Sequence, residues 1–241
     1  MITTDIIRLK IDKFSKGYVF TYKDFISDVN QKEAIIKCLN RMASSGRIIK
    51  LSKGKYYKPQ STPFGDLQPE PYQIVKDILE KNNKTVGYLT GYSIYNQLRL
   101  STQVSNTIQI GKNDIRPTFK RGVYTISFIK QKNIITKENI PLLQILDAIR
   151  YIKKIPDSTV SQACKQLQSI LKKLGQSDVK TMMRLSLKYP PATRALLGAM
   201  LTQIKLPMDT SSLFNSLNPI TVYKIDIAET ILPNKQSWNI Q

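Results

Sequence analysis

Gly46-Arg47-Ile48-Ile49-Lys50-Leu51-Ser52-Lys53-Gly54-Lys55-Tyr56-Tyr57-Lys58-Pro59 reads as two short, basic, β-prone segments broken at Ser52-Lys53-Gly54. A three-residue hairpin loop suits the break, because glycine in the third place supplies the left-handed conformation such loops need. Ile49 and Leu51 then share a face that can pack on helices, and Lys50, Lys53 and Lys55 fall at the outer edge and tip. Immediately upstream, Ile35, Leu39, Met42 and Ala43 recur at three- and four-residue spacing, the stripe of an amphipathic helix. Asn30 is a good N-cap for it and Gly46 a good stop. Lys37, Asn40, Arg41 and Ser44 lie opposite the stripe, and Lys32 stands at the helix start. A helix followed at once by a basic hairpin is the end of a winged helix-turn-helix. That module places its second helix in the DNA major groove, and the hairpin grips the neighbouring backbone.

Each half of this pattern has an ordinary explanation. Any surface helix has a polar face, and lysines on an edge hairpin guard against aggregation. Their adjacency is what marks Lys32, Lys37, Asn40, Arg41, Lys50, Lys53 and Lys55 as candidate DNA-binding residues. Asparagine can read adenine and arginine guanine, while lysines hold phosphates.

Composition agrees with an anionic partner. The 241 residues carry 37 Lys plus Arg against 17 Asp plus Glu, a net charge of +20. Nucleic acid ranks first, an acidic protein second and a membrane surface third. The excess is +8 over residues 1–60, +5 over 61–135 and +7 over 136–241, so basic side chains decorate folded elements throughout. The lysine pairs Lys153-Lys154 and Lys172-Lys173 are solvated helix faces or a further anionic contact. Two distant cysteines, Cys38 and Cys164, occupy apolar helical positions and read as buried thiols. No signal peptide or membrane-spanning run is evident, and a cytoplasmic protein is expected.

Histidine is absent. That removes His-dependent nucleophilic catalysis and His-ligated metals. The carboxylates are scattered, and no phosphate-binding glycine loop occurs. The chain is therefore expected to be no enzyme, with no catalytic residue, metal or cofactor.

Along the chain, residues 3–14 suit a first helix, and Thr21 can cap a second running to Val29 with Phe25 and Ile26 inward. Residues 60–71 read as a linker, and 72–81 as a helix burying Val75, Ile78 and Leu79. Gly87 to Asn96 resembles a turn entering a short aromatic helix; Tyr88, Tyr92 and Tyr95 there are expected in a core rather than stacked on bases. Strands are expected at Thr107–Ile110 and Val123–Ile129. From Asn139 four helices follow, punctuated by Pro156, Gly175 and Pro190, and Ile220 to Ile227 is a strand or extended tail. The expected fold class is α+β: a winged helix-turn-helix over 1–60, a small mixed region over 61–135 and a helical region over 136–241.

Three strings carry a family likeness: Leu39-Asn40-Arg41 through Tyr56-Tyr57-Lys58-Pro59, Gly87 through Leu98 (Gly-Tyr-Leu-Thr-Gly-Tyr-Ser-Ile-Tyr-Asn-Gln-Leu), and Asn139 through Ile149 (Asn-Ile-Pro-Leu-Leu-Gln-Ile-Leu-Asp-Ala-Ile). In this order, over roughly residues 5 to 230, the chain resembles the AbiEi-like antitoxins of bacterial type IV toxin–antitoxin (abortive infection) systems. The resemblance implies an N-terminal winged helix that represses its own operon at inverted repeats in double-stranded DNA. It further implies a C-terminal part that counteracts a nucleotidyltransferase-like toxin. It assigns no residues to neutralisation. The alternative is a stand-alone winged-helix transcription regulator with a ligand- or protein-binding C-terminal domain.

Overall fold

Apolar periodicity produces a mixed α+β chain in the computed structural model, which describes residues 3–27, 29, 31–204 and 208–241. Two compact units result, residues 1–77 with 120–124, and residues 78–119 with 125–241.

In the first unit, α1 (Thr3–Lys13) leads to β1 (Val19–Phe20), a 3-10 turn at Tyr22–Phe25, α2 (Lys32–Ser44), β2 (Ile49–Ser52) and β3 (Lys55–Tyr57). The sheet order is β1-β3-β2 and both pairings are antiparallel. Ile7 and Ile11 of α1, Ile35, Cys38, Leu39 and Met42 of α2, and Phe20, Phe25, Ile48 and Tyr56 close one apolar core. The rings of Phe14, Tyr18, Phe20 and Phe25 meet in it in tilted and edge-on pairs, with centroids 4.8 to 6.0 Å apart.

Several expectations are corrected here. The helix foreseen from Thr21 is a single turn, fixed by a capping box in which the Thr21 side chain accepts from a backbone amide and Asp24 reaches back to the Thr21 amide. Phe25 is buried but Ile26 is 44% exposed, because one turn has only one inward face. The expected cap Asn30 lies outside the described residues. The basic hairpin closes with two residues, Lys53 and Gly54, since Ser52 pairs with Lys55. Gly54 has φ 72°, as the turn demands. The register shifts between Lys50 and Ser52, so Ile48 and Leu51, not Ile49, are the buried residues. The stretch foreseen as a linker contains a further hairpin, β4 (Gln60–Thr62) and β5 (Gly65–Leu67). The helix α3 (Pro71–Leu79) buries Val75, Ile78 and Leu79.

The second unit holds a tight hairpin of β6 (Glu80–Lys81) and β7 (Lys84–Thr85), closed by Asn82 and Asn83 at positive φ. The chain continues with β8 (Gly87–Thr90), α4 (Tyr92–Tyr95), β9 (Thr107–Lys112), β10 (Phe119–Arg121) and β11 (Tyr124–Lys130). The sheet order is β10-β11-β9-β8; β11 runs parallel to β9, and β8 antiparallel to it. Gly87–Thr90 is thus a strand where a turn was expected. Residues 120–124, at the β10–β11 turn, belong to the first unit. Tyr88 and Tyr95 are buried, as a core role requires.

Helices α5 (Ile140–Arg150), α6 (Val160–Leu171), α7 (Gln176–Ser186), α8 (Pro191–Gln203) and α9 (Ser211–Phe214) follow. Helix α8 is buried from Ala195 to Leu201 and packs against α5, α6, α9 and the 3-10 turn Lys235–Trp238. The C-terminal segment is extended, with one bridge from Tyr223 to Ile240.

A polar network lies within this core. Asp147 of α5, 1% exposed, accepts from the hydroxyls of Tyr88 (2.7 Å), Thr90 (2.8 Å) and Tyr189 (2.9 Å). Burial raises its carboxyl above the usual range, while the three hydroxyl donors and the Arg150 charge pull the other way. Gln131 donates to both tyrosine oxygens at 2.8 Å. Among the described residues no helix is long and apolar enough to cross a membrane.

Candidate nucleic-acid interface

Helix α2 turns Ile35, Cys38, Leu39 and Met42 into the core and leaves Lys37, Asn40, Arg41 and Ser44 exposed. The division follows from the 3.6-residue period, so one turn presents an amide, a guanidinium and an ammonium together. Two of these three are oriented by neighbours. The Asn40 side-chain oxygen accepts from the Tyr56 hydroxyl of β3 at 2.7 Å. Arg41 donates from Nη2 to Oγ1 of Thr4 in α1 at 3.0 Å. Tyr56 takes one of the two lone pairs of the Asn40 oxygen and orients the amide, leaving its N–H groups free to donate. Reading adenine in the two-bond mode requires both ends of the amide. In this arrangement Asn40 can donate to a base or phosphate acceptor.

The hairpin is joined to α2 through the same contact, so helix and hairpin are one body. Lys50 and Lys53 are exposed on it, and like Lys37 they form no ion pair among the described residues. Lys32 also belongs to α2, but its ammonium lies 5.2 Å from the Tyr22 ring centre, at the helix start.

Lys55 does not join this set. Its side chain is 18% exposed and its ammonium pairs with Asp77 at 3.1 Å. Asp77 also takes both Arg121 guanidinium nitrogens, at 2.7 and 3.1 Å. Burial opposes ionisation of Asp77, but the Arg121 bonds and charge, with Lys55, hold its carboxyl below the usual range. Of the seven candidates, the structure leaves Lys37, Asn40, Arg41, Lys50 and Lys53 exposed on α2 and its hairpin, sets Lys32 at the helix start, and engages Lys55 internally.

Two further cations near the site have structural posts that their positions in sequence do not reveal. Arg47 pairs with Asp12 at 3.0 Å. Lys58 donates to the carbonyls of Asp12 and Phe14 at 2.7 and 3.0 Å, at the C-terminal end of α1. Cationic side chains there satisfy free carbonyls and complement the helix dipole. Among the described residues no group of three or more His, Cys, Asp or Glu could hold a metal ion.

Comparison with known proteins gives fold and family but no activity. No curated protein matches the chain. The crystal structure of the RV2827C protein from Mycobacterium tuberculosis is similar with a TM-score of 0.57 at 12% identity, covering 94% of this chain and 84% of that one. At that identity the likeness is one of fold. A family model described as a family of unknown function, DUF6088, matches residues 6–179, and the chain belongs to that family.

Proposed function

We propose that the first unit is a winged helix-turn-helix in which α2 reads DNA and the β2–β3 hairpin is the wing. The observation that carries the proposal is the exposed face of Lys37, Asn40 and Arg41, bonded through Asn40 and Tyr56 to a hairpin bearing Lys50 and Lys53. The order of helices and strands and the β1-β3-β2 sheet support it. In this mechanism the hairpin lysines fix register on phosphates and α2 supplies base contacts.

The likeness to AbiEi-like antitoxins extends the proposal to the whole chain: a cytoplasmic antitoxin that represses its own operon and counteracts a nucleotidyltransferase-like toxin, without catalysis of its own. Two measurements test the two halves. Titration of the native promoter and a scrambled duplex at several salt concentrations should give tighter binding to the promoter. Equal affinity for both would remove α2 as a reader. Co-expression with the toxin encoded by the neighbouring gene should restore growth. Promoter binding without rescue would instead identify a stand-alone regulator.

A further inference from the structure

In the second unit, Lys130, Lys132, Arg150 and Lys188 meet around a cleft of about 350 Å³. They arrive from separate parts of the chain: the end of β11 and the residues after it, the last turn of α5, and the turn between α7 and α8. We propose that this cleft binds a small anion carrying a di- or triphosphate chain, either a nucleotide or an inorganic polyphosphate.

Four features support a built site. First, among the described residues no acidic side chain lines the cleft. None of the four cations is ion-paired with a carboxylate among the described residues. Concentrating like charges in a concavity without internal compensation raises the local potential, which an anion relieves.

Second, the extended backbone alternates. Gln131 is turned inward, held by Tyr88 and Tyr189, and its side-chain oxygen accepts from the Asn133 amide at 2.8 Å. Lys130 and Lys132 on either side are exposed and share the other face. The buried network thus fixes the backbone from which both lysines extend.

Third, Asp147, whose carboxylate feels the Arg150 charge, is buried and committed to three hydroxyls, so it does not fill the cleft. Fourth, Pro190 and Pro191 at the start of the thirteen-residue helix α8 form another wall, adding the positive end of its dipole. The volume is at the lower end of the range for small-molecule sites, roughly 300–1,000 Å³. A nucleic-acid duplex presents phosphates on a convex surface, whereas these cations converge on a concavity.

The proposal is independent of DNA binding by the first unit. The test is calorimetric titration of the full chain with inorganic tripolyphosphate and, separately, with ATP, at an ionic strength of about 0.15 M where surface attraction is screened. Saturable binding at one site per chain is expected. Lys132→Ala/Lys188→Ala should weaken it about tenfold or more, and Lys172→Ala/Lys173→Ala, an exposed pair elsewhere, should leave it within about twofold. Lys132 and Lys188 are exposed and form no ion pair among the described residues, so the melting temperature should not fall. Tighter binding of ATP would identify the nucleotide as source, and equal binding the polyphosphate chain alone. Absence of saturation at millimolar probe, or equal loss in both double variants, overturns the proposal. An equal loss of random-duplex affinity in Lys132→Ala/Lys188→Ala also overturns it, making the cleft a nucleic-acid surface.

Discussion

Lys53 and Lys55 are two positions apart in a basic hairpin, yet the structure gives them different work. Lys53 is exposed at the turn, and Lys55 is bonded to Asp77. Lys53→Ala should weaken promoter and random DNA alike and lower the salt slope by about one unit, without changing stability. Lys55→Ala should leave the slope unchanged and lower stability by up to about 1 kcal/mol, the scale of a partly exposed ion pair. Urea unfolding and DNA titration of both variants check the contrast. Asn40→Ala and Arg41→Ala should cost about 1–3 kcal/mol on the promoter and much less on random DNA wherever the side chain meets a base. The Asp77 group also predicts an acid response. Its folded pKa is depressed, so its contribution is present above the unfolded value, about 3.9, and is lost as pH falls through the folded value. Between neutral pH and pH 3, Asp77→Asn should lose less stability than the parent; parallel loss would show that the Arg121 and Lys55 contacts do not favour the ionised carboxylate.

At the scale of elements, close packing makes single atoms decisive. A Cβ on Gly198 of α8 would come within 2.2 Å of the Trp238 ring. Alanine gains about 1 kcal/mol of helix propensity over glycine, but forcing a methyl into a packed contact costs about 1–3 kcal/mol. Gly198→Ala should therefore destabilise the second unit, read by fluorescence of Trp238, the single tryptophan. The elements most legible in the sequence are those with sustained periodicity. The stripe of α2 and the helices α5 to α7 emerge near the expected places because an amphipathic period repeats over three turns or so, whereas α8, buried on nearly every face, is marked by the proline at its start and by its length. Gly87–Thr90 is not legible as a strand, since Gly87, Tyr88 and Thr90 are all buried and no alternation shows. The Asn82–Asn83 turn hides in the same way, because it depends on positive φ at both asparagines. The exposed face of α2 can be read from spacing. The Lys55–Asp77–Arg121 group cannot, because its members are separated by 22 and 44 residues and meet only through tertiary packing. Asp147 looks like one more polar residue on an apolar helix until Tyr88 and Tyr189 arrive from elsewhere.

For the molecule as a whole, the division into two units predicts that the proposed repression and the proposed neutralisation can be separated. The residues proposed to touch DNA belong to the first unit, while most of the chain belongs to the second. A fragment keeping only residues 1–60 should not protect cells against the toxin. Such a fragment also loses Asp77 and Arg121, the partners that fix Lys55, so its failure alone would leave folding and function entangled. The cleaner variant is full-length Lys37→Ala/Lys53→Ala. Both lysines are exposed and form no ion pair among the described residues, so the fold should be unaffected. Removing one cation from each element should lower the salt slope by about one unit for each that meets a phosphate, and weaken promoter occupancy accordingly. Expressed from an independent promoter beside the toxin, this variant should derepress a reporter driven by the native promoter and still restore growth. Loss of both activities by a variant with an unchanged melting temperature would tie neutralisation to the proposed DNA-binding face. Full repression by it would remove Lys37 and Lys53 from that face.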